Sequence, residues 1–209
     1  MLDAQTGEML ASCVDRVSIL WPDEDSGMWE VEKLRHHTGA KLAVWIALDR
    51  ALGLAEAGQL PDAHAAQWRE QRGRLHTWIE ERCWSEELGA YQGCAGEKSL
   101  DAAVLRAVRM GYPEQERLGR TVDAIRERLS AAPGLLYRTT EHVGKEGAFV
   151  ACSFCAAEAL HGSAASRRPT RRWNRYCRTP TTSASSRRRS IQAAASSLGT
   201  FRKASAILR

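Results

Sequence analysis

"AKLAVWIALDRALGLAEAG", residues 40–58, decides the fold class. Leu42, Trp45, Ile46, Leu48, Leu52 and Ala55 recur at helical spacing and form a broad apolar stripe. Gly58 is placed to end the helix. The same habit continues downstream. "PDAHAAQWREQRGRLHTWIEERCW" (61–84) has Pro61 for a first turn and Trp68, Leu75, Trp78 and Ile79 on one face. "SLDAAVLRAVRMG" (99–111) has Ser99 as a cap and Gly111 as a stop. "PEQERLGRTVDAIRERLSAA" (113–132) carries Leu118, Val122, Ile125 and Leu129 on one stripe. "EGAFVACSFCAAEALHG" (146–162) is apolar nearly all round, which predicts a buried helix. No segment shows the period-two alternation of a strand. The expectation is an all-α body of helical hairpins, with loops 21–38, 84–99 and 133–147 gathered at one end as the functional face.

The charge is unevenly distributed over the 209 residues. Residues 162–209 hold 12 of the 30 Lys and Arg and none of the 25 Asp and Glu, so the tail is a formal +12 and residues 1–161 a formal −7. The overall +5 describes neither part and is no nucleic-acid signal for the body. The 44% hydrophobic content is enough for a packed core. No apolar run approaches the roughly 18–20 residues that span a bilayer, and no signal peptide opens the chain. The six cysteines are scattered, as in a reduced, cytoplasmic protein. From residue 162 onward Ser, Arg, Thr and Ala replace apolar periodicity, a composition that predicts disorder.

One loop carries a candidate acid. In "WPDEDSGMWEVE" (21–32), Glu30 follows Trp29 just after a turn-rich run. An aromatic beside a carboxyl offers a desolvating wall that favours the protonated acid, and an apolar platform for a sugar face. Read alone, the pair is a solvated carboxylate. Its setting gives it more weight: "PDEDSGMWEVEKLRHHTGAKLAVWIALDRALGLAE", "RCWSEELGAYQGCAGEKSLDAAVL", "GLLYRTTEH" and "EGAFVACSFCAAEAL" resemble successive blocks of glycoside hydrolase family 15, in family order, over roughly residues 18–161. The family includes glucoamylases, glucodextranases and bacterial trehalases.

The resemblance implies a partial (α/α)6 barrel, roughly the second half of the toroid, over residues 1–161, followed by the basic tail 162–209. It implies inverting hydrolysis of an α-glucoside or trehalose-type sugar by two carboxylic acids. The family's Gly-x-Trp-Glu block maps onto Gly27-Met28-Trp29-Glu30, so Glu30 is the expected general acid, with Trp29 at the sugar. The "YR" block places a substrate-binding arginine at Arg138, and Glu146 opens the "EGAF" block as a pocket residue. No cofactor and no metal is implied. His37 stands where the family usually has an aromatic, Ala40 where it has Ser, and Cys155 where it has Trp.

Larger departures lie at the ends. The family has further barrel helices before the acid, so the chain reads as a fragment. Its general base sits in a late Ser-Glu-Glu-x-Asp-Pro block, yet no Asp or Glu follows Glu158 here. An inverting glycosidase needs a second carboxylate about 6.5–9.5 Å from the acid, and one positioned acid or base group contributes about 10²–10⁴-fold. The chain as written is therefore expected to be inactive. A shifted reading frame explains the tail: codons exist for residues 167–192 that, read two bases later, encode an acidic helix-patterned string ending in the missing block. "SLGTFRKAS" (197–205) then matches the following family segment unshifted.

Other motifs have plainer readings. Cys152-x-x-Cys155 lies in an apolar run without a second ligand pair, as buried small residues do. His36 and His37 are neighbours in sequence, which does not make a tetrahedral set. Trp173 and Tyr176 among the arginines would suit a stacking nucleic-acid binder. That gives the alternative function, a non-catalytic helical module with a nucleic-acid-binding tail. An incomplete barrel would also leave apolar faces that invite self-association.

Overall fold

A computed structural model describes residues 2–61 and 63–162; the expected disordered or out-of-frame tail lies outside them. Six α-helices carry the described part: α1 (Ala4–Leu20), α2 (Thr38–Glu56), α3 (Ala65–Arg82), α4 (Arg106–Met110), α5 (Gln115–Arg128) and α6 (Val150–Gly162). Two small antiparallel hairpins separate them, β1 (Trp84–Ser85) with β2 (Ala90–Tyr91), and β3 (Ser130–Ala132) with β4 (Leu135–Leu136). Strands of two or three residues show no period in a sequence, so none was expected. The "SAA" end of the 113–132 helix is in fact β3.

α2 is buried along Leu42, Trp45, Ile46, Leu48, Leu52 and Ala55, the stripe read from sequence, and packs along α3 and against α1 and α4. Trp68, Leu75 and Ile79 of α3 answer it, each fully buried. Burying one such side chain contributes about 1.5–3 kcal/mol. α5 adds Leu118, Val122 and Ile125.

The helices differ from the sequence reading in four further places. α1 has no counterpart in it; Asp3 caps this helix, its Oδ1 accepting from the Thr6 N–H at 2.9 Å. α3 starts at Ala65, leaving Pro61 outside, and Asp15 of α1 ties down its first turns by accepting from Trp68 Nε1 at 2.7 Å. The third expected helix is a 3-10 turn, Ala102–Leu105, running into α4, and its cap is Asp101 rather than Ser99. Asp101 wins because its carboxylate accepts the Ala103 N–H at 2.7 Å. α6 begins at Val150 and is not buried all round: Cys152, Ala156, Ala159 and Leu160 face the core, while Val150 and Phe154 are exposed by 57% and 69%. Nothing among the described residues covers that second face. An apolar groove runs between α2 and α4, lined by Leu42, Ala43, Ile46, Ala107 and Met110 among others. No helix among the described residues is long and apolar enough to cross a membrane.

The connecting loops are stitched together. Isolated bridges join Asp25 to Arg35, His37 to Cys94 and Asp101 to Thr139. Lys41, its side chain only 3% exposed, donates to the Asp23 carbonyl at 2.6 Å and to Asp25 Oδ2 at 3.1 Å. Arg35 bridges Glu97 and Glu141 at 2.9 and 3.1 Å. These contacts draw three loops into one surface.

Candidate active site

The loop before α2 is a compact turn. Asp25 Oδ1 accepts the Gly27 N–H at 2.9 Å, and Val31 N–H donates to the Ser26 carbonyl at 3.0 Å. Gly27 has φ 66°. Glu30 has φ 52°, and among the described residues it is the one non-glycine with a left-handed backbone. That conformation costs an ordinary residue about 1–2 kcal/mol. Strain held at a carboxylate in a loop is a common signature of a functional residue.

Trp29 and Glu30 part company in space. The Trp29 indole is half-buried, its Nε1 donating to Asp101 Oδ1 at 2.8 Å. Its ring meets Phe149 edge-on, 5.5 Å between centroids. The Glu30 side chain stands exposed, with no hydrogen bond or ion pair to another described residue. The desolvating wall that the Trp-Glu pair suggests is thus absent among the described residues: the indole is committed to Asp101 and Phe149.

Arg138 joins Trp29 and Phe149. Its guanidinium carbon lies 5.6 Å from the Trp29 ring and 5.7 Å from the Phe149 ring. Its Nε and Nη2 donate to the two Glu146 oxygens at 2.8 and 2.6 Å, a bidentate fork. Glu146 raises the Arg138 pKa, and Arg138 in turn holds Glu146 below its ordinary value. The structure therefore places Trp29, Arg138 and Glu146 in one cluster, with Glu30 on the adjoining turn.

Asp101 and Phe149 belong to the same cluster, and sequence reasoning missed both. Asp101 is 4% exposed, and burial pushes its pKa up against the Ala103 and Trp29 hydrogen bonds. Its signal in the sequence was the Asp before "AAVL", a capping residue that Ser99 obscured.

The two histidines diverge. His36 packs edge-on to Trp78, 5.3 Å between centroids, while His37 Nδ1 lies 3.4 Å from Cys94 Sγ. Burial pushes the Cys94 thiol up to about 11 and Cys152 up to about 12, so both are neutral thiols near pH 7. Cys152 is buried and Cys155 half-buried, without a disulfide between them. Among the described residues no group of three or more His, Cys, Asp or Glu is placed to hold a metal ion.

The family model for glycosyl hydrolases family 15 matches residues 2–180. The chain belongs to this family. The match begins earlier than the sequence blocks did, so α1 falls within it. Trehalase of Mycobacterium tuberculosis is 34% identical over 149 residues, which cover 67% of this chain and 22% of that enzyme. Trehalase of Thermoplasma volcanium is 26% identical over 151 residues, covering 69% and 24%. The chain thus spans about a quarter or less of the length of the curated trehalases it matches. Among solved structures, a glycosidase in complex with glucose superposes with a TM-score of 0.63 at 18% identity, over 71% of this chain and 40% of that one. A wild-type glycosidase gives 0.62 at 17% identity with the same coverage. The described helices are therefore part of an (α/α) toroid.

Proposed function

We propose that the chain carries the acid-bearing part of an inverting α-glycoside hydrolase site, for trehalose or a related α-glucoside. The observation that carries this reading is the left-handed backbone of Glu30 in a braced turn beside the Trp29–Arg138–Glu146 cluster. Glu30 is the proton donor to the glycosidic oxygen. Its exposure in the present chain leaves it open to a bond placed over the turn. Trp29 and Phe149 give the apolar platform, and Arg138, its Nε and Nη2 held by Glu146, offers its remaining guanidinium N–H groups to sugar hydroxyls.

The second carboxylate that an inverting mechanism requires is, on this reading, not supplied by this chain. No Asp or Glu follows Glu158, and we attribute the basic stretch after it to a shifted reading frame. The apolar groove between α2 and α4 and the exposed face of α6 suit the remaining helices of a toroid, or another copy of the chain.

Glucose release tests the assignment. The 209-residue chain should release none from trehalose or maltose. A longer polypeptide that completes the toroid and restores the acidic frame should release glucose, and Glu30→Gln in it should lower kcat by at least about 10²-fold. Turnover by the short chain would refute the missing base. Unchanged turnover in the Glu30→Gln variant would refute the acid.

A further inference from the structure

Trp29 also lines a small cleft, together with His37, Cys94, Asp101, Thr139 and His142 among others. His37 occupies the N-cap position of α2. Its backbone is bridged to Cys94, and the neighbouring Thr38 N–H donates to the Gly93 carbonyl at 3.0 Å. The ring is only 7% exposed, and one nitrogen, Nδ1, faces Cys94 Sγ at 3.4 Å. The other, Nε2, is buried and has no hydrogen-bond partner among the described residues. Buried ring nitrogens are normally satisfied.

The ring has little freedom to turn toward another partner. Gly27 packs on it so closely that a Cβ there would lie 2.8 Å from the ring. His37 thus buttresses the turn that carries Glu30 while keeping one nitrogen free. Asp101 lines the same cleft. Its Oδ1 takes both the Trp29 and Ala103 hydrogen bonds, and Oδ2 takes none from the described residues.

A nucleophilic Cys–His pair does not suit this site, because burial keeps the Cys94 thiol protonated. In the tautomer whose Nδ1 accepts the thiol S–H, Nε2 carries the ring proton. Of the residues lining the cleft, His37 then has one buried donor, and Asp101 one carboxylate oxygen, without a partner among the described residues. An anion would be repelled by Asp101, and an apolar group would leave both unsatisfied. A hydroxyl accepts from one and donates to the other.

We propose that this cleft is a hydroxyl-binding subsite in which His37 Nε2 and Asp101 Oδ2 hold one hydroxyl of a sugar. The inference rests on the sugar reading of the loop surface and adds to it a recognition residue, His37, and a second pocket.

The test uses the full 209-residue chain, labelled with nitrogen-15, with glucose and trehalose as probes. Long-range proton–nitrogen spectra report the His37 ring nitrogens directly. The expected result is a shift of the Nε2 resonance that saturates with sugar. His37→Phe keeps a ring for Gly27 to pack on but removes both nitrogens, Nε2 and the Nδ1 that faces Cys94. It should weaken sugar binding about three- to tenfold, the worth of one net hydrogen bond. Its melting temperature should change little, because losing the unsatisfied Nε2 offsets losing the Nδ1 contact with Cys94. His37→Gln, which restores a donor, should recover part of the affinity. Sugar binding with an unmoved Nε2 signal, and equal affinity in the His37→Phe chain, means that the cleft holds water only. That outcome overturns this inference and leaves the sugar reading standing. Absence of binding by the unaltered chain overturns both.

Discussion

Glu80 and Trp29 each sit within a cluster of aromatic and charged side chains. Around Glu80 the groups saturate one another. Its Oε1 accepts from Tyr91 and Tyr112 at 2.6 and 2.7 Å, and its Oε2 from Arg117 at 2.6 Å. Arg117 lies over Trp84 at 4.8 Å, and Tyr112 meets Trp45 edge-on at 5.0 Å. Around Trp29 the side chains touch in a similar way, but several polar groups are left over. Among the described residues, Glu30 is strained and exposed, Asp101 uses one oxygen, and His37 Nε2 has no partner. A saturated network fixes a fold. An unsaturated one, in loops that the fold has already braced, is ready for a ligand.

The largest effect should come from breaking the saturated cluster. Glu80→Ala strands the Arg117 charge and two buried phenols. It should destabilise the protein by about 2–4 kcal/mol, below the full loss of a buried ion pair because Arg117 reaches solvent. A denaturant midpoint checks it; a loss below about 1 kcal/mol would mean that the cluster does not hold the core. The smallest effect should come from the Trp29 side, with the opposite sign. Glu30→Gly removes the left-handed penalty of about 1–2 kcal/mol and adds glycine's entropic cost of about 0.5–1 kcal/mol. A net gain of about 0.5 kcal/mol in stability is expected, measured in the same denaturant series. A clear loss would show that the Glu30 side chain supports the fold rather than strains it.

What the sequence reveals divides along the same line. The stripes of α2 and α5 are legible because burial on one helix face imposes its own period. The hairpins are too short to have a period, and α1 needed its Asp3 cap to be noticed. For α6, an apolar sequence says that a face wants cover but not whether the chain supplies it. Trp29, Glu30, Arg138 and Glu146 were legible only through ordered motif blocks. Asp101 and the free nitrogen of His37 were not, because each acquires its meaning from contacts more than 50 residues away, with Trp29 and Cys94 respectively.

The most direct test of the central claim is a map of backbone amide shifts in the full chain as trehalose is added. The account predicts shifts that saturate and cluster in residues 26–38, 92–101 and 137–149, with the amides around Glu80, Tyr91 and Tyr112 unmoved. Shifts centred on the Glu80 cluster, or none at saturating sugar, would contradict it.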